Sequence, residues 1–139
     1  MKFSIRQTKD IELIKRLHNE SFPKDEFEKE EKTTYWIALD NRNTPCGFAS
    51  AKELSNNICY LTWAGVNYKY RGHGLHKKLI SVRVRFAKRR GCTHVITYTS
   101  RENHYSANNL MDFGFRAYAP ENPWVGPNYN YWIKNIYLP

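Results

Sequence analysis

The stretch Trp63-Ala64-Gly65-Val66-Asn67-Tyr68-Lys69-Tyr70-Arg71-Gly72-His73-Gly74-Leu75-His76-Lys77 decides how this chain is read. It opens on the end of an apolar strand, passes two glycines one residue apart, and runs into a long basic amphipathic segment. A strand, a glycine-rich turn and a helix N-terminus bring successive backbone N–H groups to one point, the geometry of a phosphate site. Gly72 and Gly74 lack Cβ atoms, so a phosphate can approach the main chain, and the amides of Gly72, Gly74, His76 and Lys77 are its donors. Arg71 and Lys77 add charge.

Downstream, Leu75, Leu79, Val82 and Phe86 recur at helical spacing with Ile80, Val84 and Ala87 beside them. They predict a helix to Arg90 that buries one broad stripe, with Lys77, Lys78, Arg83, Arg85, Lys88, Arg89 and Arg90 on the rest of its surface. Gly91 stops it, and the cations before Gly91 suit the negative end of the helix dipole. Residues 1–53 carry ten Lys/Arg and ten Asp/Glu, residues 54–101 ten and none, and residues 102–139 two and three. The net charge of +9 therefore comes from the central block, around the proposed phosphate site. A block of that kind implies a polyanionic ligand: a nucleotide cofactor, a nucleic acid, or both.

Upstream, Lys2 to Gln7 alternates as an edge strand. Thr8 or Asp10 caps a helix through Asn19 that Phe22-Pro23 ends, with His18 at the boundary of its packed face. Asp25 to Lys32, five carboxylates around Phe27, reads as a short charged helix or helical turn, an exposed face able to attract a cation. Tyr35–Asp40 and Cys46–Glu53 form a hairpin about Asn41–Pro45, and Ile58 to Val66 is the longer strand that enters the glycine turn. Beyond the basic helix, His94–Thr99 is a strand parallel to Ile58–Val66, Ser106–Phe113 a short helix, Phe115–Ala119 a strand, and Tyr129–Leu138 a closing aromatic strand. A meander followed by a strand-turn-helix-strand unit predicts an α+β fold: a mixed, mostly antiparallel sheet of six to seven strands flanked by helices.

With 139 residues and 41% hydrophobic content, one domain over residues 1–139 is expected. No run approaches the ~18 apolar residues of a membrane span, and the first residues lack the apolar core of a signal peptide. Cys46, Cys59 and Cys92 are an odd set without paired spacing, as in a reducing compartment, so a basic cytoplasmic protein is expected. His73, His76, His94 and His104 show no metal-ligand spacing, and no metal is assigned.

The order of elements and three local patterns resemble the GNAT superfamily, the acyl-CoA-dependent N-acyltransferases, over essentially the whole chain. Val66-Asn67-Tyr68-Lys69-Tyr70-Arg71-Gly72-His73-Gly74-Leu75 looks like that family's acyl-CoA motif. Asn103-x-x-Ser106-x-x-x-Leu110-x-x-x-Gly114-Phe115 stands at the family's spacing for its second pattern, and Leu17-His18-Asn19-Glu20-Ser21-Phe22-Pro23 resembles the end of its first helix. The resemblance implies a cleft where Ile58–Val66 splays from His94–Thr99. Acetyl-CoA would lie there against Trp63, Ala64, Val66 and Arg71 to Lys77, with Asn103 and Ser106 opposite and the Val66 amide at the thioester oxygen. His76 replaces the motif's last small residue, with its side chain directed either outward or toward a phosphate. Leu110 stands where many members carry an acid tyrosine.

Tyr105 and Tyr98 are the nearby substitutes for that acid. For the base that deprotonates the amine, Tyr60 lies six residues before Val66, where histone-acetylating relatives carry a glutamate, and Glu53 is the carboxylate closest to the cleft in sequence. The expected acceptor is a primary amine: a peptide amino terminus, lysine, polyamine or small aromatic amine. It would be enclosed by Phe22, Phe27, Trp124 and Tyr129, in a monomer or homodimer. The alternative is a nucleic-acid-associated protein of this fold, in which the basic helix meets phosphates and Trp124, Tyr129, Tyr131 and Trp132 stack on bases. Binding that weakens steeply with salt is its signature.

Overall fold

A computed structural model describes residues 2–137. Its elements are β1 (Ser4–Thr8), α1 (Ile11–Ser21), β2 (Thr33–Leu39), β3 (Pro45–Leu54), β4 (Ile58–Val66), α2 (Leu75–Arg89), β5 (His94–Ser100), α3 (His104–Asp112), β6 (Arg116–Tyr118) and β7 (Tyr129–Asn135). All seven strands join one sheet in the order β1-β2-β3-β4-β5-β7-β6. Its first four strands are an antiparallel meander, and β4 and β5 alone pair in parallel across the helical connection through α2. The expected α+β class, mixed sheet and flanking helices are observed. Of the closing strand expected to Leu138, the part up to Asn135 is extended and Leu138 lies outside the described residues.

Strand alternation divides the core between the two faces. Tyr35, Ile37 and Leu39 of β2 meet Ile14 and Leu17 of α1, while Trp36 packs with α2 and α3 residues and Ala38 with Leu75 and Leu79 of α2. Thus α1 covers one face and α2 with α3 the other. Asp10 caps α1 by accepting from the Leu13 N–H.

Two expectations need correction. Residues 22–32 form no helix but an irregular segment lying over the α1 face. Five carboxylates crowded around one apolar residue repel each other along a helix, and Phe27 is held instead against His18 and Tyr35. Arg83, expected on the solvent side of α2, belongs to its buried stripe with 4% exposure. Its Nε donates to the Leu79 carbonyl at 3.1 Å and its Nη1 to the Ser50 carbonyl at 3.1 Å, so neutral backbone oxygens satisfy the guanidinium.

Among the described residues no helix is long and apolar enough to cross a membrane. Cys46, Cys59 and Cys92 are free thiols, and burial pushes the first two up to about 11 and about 12.

Candidate active site

The centre of the molecule is a fault in the sheet. Pairing between β4 and β5 covers only Ile58–His94, Cys59–Val95 and Tyr60–Ile96. Beyond it the Thr97 hydroxyl donates to the Leu61 carbonyl at 2.8 Å, and then the strands separate. A bulge in β4 drives this separation: Ala49 faces Ala64 and Ala51 faces Leu61, so Ser50 alone opposes both Thr62 and Trp63. Ser50 staples it, its Oγ lying 2.6 Å from the Thr62 hydroxyl and accepting from the Trp63 N–H at 3.1 Å. Arg83 holds the same bulge from the opposite face through the Ser50 carbonyl.

The ladder beyond the bulge has a defined phase. The Asn67 N–H donates to the Cys46 carbonyl at 2.9 Å, next to the Gly47–Val66 pair. Residues 47 and 66, and likewise 49 and 64, are therefore non-hydrogen-bonded pairs. Ala64 and Val66 turn their N–H and C=O groups from β3 toward the gap that β5 leaves open. A cleft of about 370 Å³ occupies that gap. It runs from His76, Ile80, Asn103, Ser106, Asn109 and Leu110 on the α2 and α3 side to Phe22, Glu30, Tyr60, Trp63 and Tyr98 on the α1 side.

At the cofactor end, a short 3-10 turn at Tyr68–Tyr70, capped by Asn67, leads into the glycines. Gly72 and Gly74 have φ of +84° and +77°, and a Cβ at either would meet nothing within 4 Å. They are left-handed residues with open space before them, a cradle that side chains would fill. Arg71 is exposed beside it, whereas the Lys77 ammonium is held at 2.9 Å by Asp112 of α3. Leu75 turns its side chain into the core, leaving its backbone to the turn, and His73 packs near Phe3. Asn103 caps α3, its Oδ1 accepting from the Ser106 N–H at 3.0 Å. The cradle and the turned-out backbone of β4 fit a nucleotide thioester.

His76 points into the cleft. Burial, with Arg83 and Arg71 nearby, lowers its imidazole to about 4, so it is neutral at pH 7. It offers hydrogen bonds to a ligand but no charge to a phosphate.

The acid and base candidates are spread apart. Tyr60 lines the cleft beside the Trp124 indole at a ring separation of 5.6 Å, and burial pushes its hydroxyl up to about 12. At neutral pH it is a proton donor and not a base. Glu53 is at the far end of β3, bound at 2.9 Å to Arg90, and borders a different groove. Tyr105 is 57% exposed at the rim, edge-on to His76 at 5.7 Å. Burial raises Tyr98, which stands on the acceptor side. Leu110 is packed in the core and lines the cleft.

Glu30 is the carboxylate that reaches the cleft, and sequence reading missed it because it belongs to a charge run. Its acidic neighbours gave the only hint. His18, Arg83 and Asn109 were likewise hidden among residues expected at a boundary, on the surface or without a role. Of the acceptor-side aromatics, Phe22 lines the cleft, Phe27 an adjoining pocket, Trp124 covers Tyr60, and Tyr129 packs on Tyr98. Tyr131 and Trp132 are buried, with the Tyr131 hydroxyl bonded to Val125 and Gly126 and the Trp132 indole to Thr99, so neither is presented to a base. On α2 and its C-cap, Arg83 is buried and Lys77 and Arg90 are ion-paired, which leaves Lys78, Arg85, Lys88 and Arg89 as exposed cations outside ion pairs among the described residues.

A sheet parted between one parallel pair, with a glycine cradle at a helix N-terminus on one side of the gap, defines an acyl-CoA-dependent transferase. The family model of the acetyltransferase (GNAT) family matches residues 5–115, and the chain belongs to that family. It is an acyltransferase whose cofactor is acetyl-CoA.

Solved structures agree on the fold. A Bacillus anthracis protein in complex with acetyl coenzyme A is similar at 19% identity with a TM-score of 0.76, over 98% of this chain and 99% of that one. The IAA acetyltransferase of Bacillus cereus is similar at 15% identity and 0.78, over 97% and 100%. The ribosomal-protein-S18-alanine N-acetyltransferase of Escherichia coli is similar at 13% and 0.73, over 95% and 91%. No curated protein matches the chain.

Proposed function

We propose that the chain works as one cytoplasmic N-acetyltransferase domain that acetylates a primary amine admitted from the α1 face. The observation that carries this reading is the cleft itself, which runs through the parted strands from His76, two residues beyond the Gly72–Gly74 cradle, to Glu30. The amides of Gly72, Gly74, His76 and Lys77, with Arg71, hold the pyrophosphate. Ala64 and the Val66 carbonyl pair with the pantetheine arm, and Asn103 and Ser106 close over it. Acetyl-CoA supplies an acyl carbon activated by a thiol leaving group.

The chain's own groups do the rest. The Val66 N–H holds the acyl oxygen, which gains negative charge as the amine attacks. Glu30 accepts the proton that the incoming ammonium must lose and passes it to solvent. Tyr60, protonated at neutral pH, donates a hydrogen bond on the acceptor side. With Leu110 in place of an acid, the departing thiolate takes its proton from water.

Calorimetric titration with acetyl-CoA, followed by thiol release across an amine library, tests the reading. Binding with amine-dependent thiol release is expected. Absence of acetyl-CoA binding defeats it.

A further inference from the structure

Beside the main cleft, on the α1 face, lies a second pocket of about 150 Å³ lined by His18, Glu26, Phe27, Glu28, Glu30, Thr33, Tyr35, Phe48, Ser50, Thr62 and Trp63. Glu30, Thr62 and Trp63 line both, so the two spaces are neighbours across one wall. Three features of the pocket point to one kind of occupant. Its floor is His18, fully buried, with neither Nδ1 nor Nε2 hydrogen-bonded. A neutral imidazole has one donor and one acceptor nitrogen, and leaving both without partners in a buried site is costly. Its walls are aromatic: Phe27, Phe48 and Trp63 stand around the imidazole with ring centroids 5.4, 6.0 and 4.8 Å away. Its rim is acidic, and while Glu30 has Lys52 at 3.7 Å, Glu26 and Glu28 have no ion pair among the described residues.

We infer that this pocket receives a second ammonium group of the acceptor, so that the preferred acceptor is an alkyl diamine and not a monoamine. The inference rests on the acetyltransferase reading of the adjoining cleft and names its acceptor class. An ammonium donates to the free ring nitrogen of His18, meets the faces of the surrounding rings, and is balanced by the rim carboxylates. At a water's share of about 30 Å³, the volume holds about five heavy-atom groups, the size of a short aminoalkyl arm. The first amine then lies beyond Trp63, next to Glu30, where its proton is removed.

The experiment titrates the chain, saturated with CoA, with 1,4-diaminobutane and with 1-aminobutane, and repeats both titrations without CoA. The diamine is expected to bind at least 10-fold more tightly. That preference disappears in Glu26→Gln/Glu28→Gln, on an exposed segment whose change leaves the fold intact, and in His18→Leu, while acetyl-CoA affinity stays the same. Equal affinity for the two amines overturns the inference, and so does a preference that survives in the glutamine variant. A failure of the cofactor reading shows separately, as absent heat with acetyl-CoA, and the titrations without CoA still decide the pocket.

Discussion

The two faces of the sheet present different chemistry to a ligand. On the α2 face, a glycine turn, a helix N-terminus and the turned-out edge of β4 present mostly main-chain groups, in a stretch of sequence, residues 54–101, that carries no acid of its own. On the α1 face, the pocket is lined by side chains from α1, the 22–32 segment, β2, β3 and β4, and it is acidic and aromatic. Backbone donors suit a cofactor shared by a whole family, because any sequence that keeps the turn keeps the site. Side chains on a separately built face can change with the acceptor while the cofactor wall stays as it is.

That contrast can be broken most sharply at the cofactor wall. Gly74→Glu places a side chain in a left-handed position and a negative charge at the helix N-terminus, so acetyl-CoA affinity should fall about 100-fold or more by calorimetry, with unchanged circular dichroism. Unchanged affinity would mean that the cradle is not the phosphate site.

On the opposite face, Glu30→Gln should lower kcat/KM for the amine about 100-fold and leave acetyl-CoA binding intact, because a proton acceptor acts only on the acceptor's side. Equal losses in both measurements would erase the division between faces.

His76 tests the seam between them. Its folded value of about 4 lies below the ordinary 6.5, so the unfolded chain binds more protons between those values. Stability therefore falls as pH drops from 6.5 toward 4, by about 1–3 kcal/mol, and His76→Gln should flatten that slope in denaturant titrations. A slope that persists in the variant would assign it to other groups.

The smallest effect is expected at Glu53, whose partner Arg90 is half exposed. Glu53→Gln should cost about 0.5 kcal/mol and leave turnover as it was. A fall in kcat would return Glu53 to the site.

The strands, α1 and α2 were legible because alternation, helical spacing and caps act over a few residues: Asp10, Gly74 and Gly91 stand where their local conformations need them. Residues 25–32 were misread as a short helix or helical turn, since composition showed their charge but not that Phe27 would be anchored on His18 and Tyr35. Arg83 was misread because a cation on the apolar stripe is tolerable only if distant carbonyls meet it, and Ser50 is 33 positions away.

By itself the sequence determined the proposed cofactor wall, since a glycine cradle is built from consecutive residues whose backbone needs are local. Only the tertiary structure decided the acceptor side. His18, Glu30, Phe48 and Trp63 come together because a bulge at Ser50 parts β4 from β5 and the 22–32 segment lies over the opening. Nothing in the neighbourhood of any one of them encodes that meeting, because its geometry is set by packing between elements far apart in the chain.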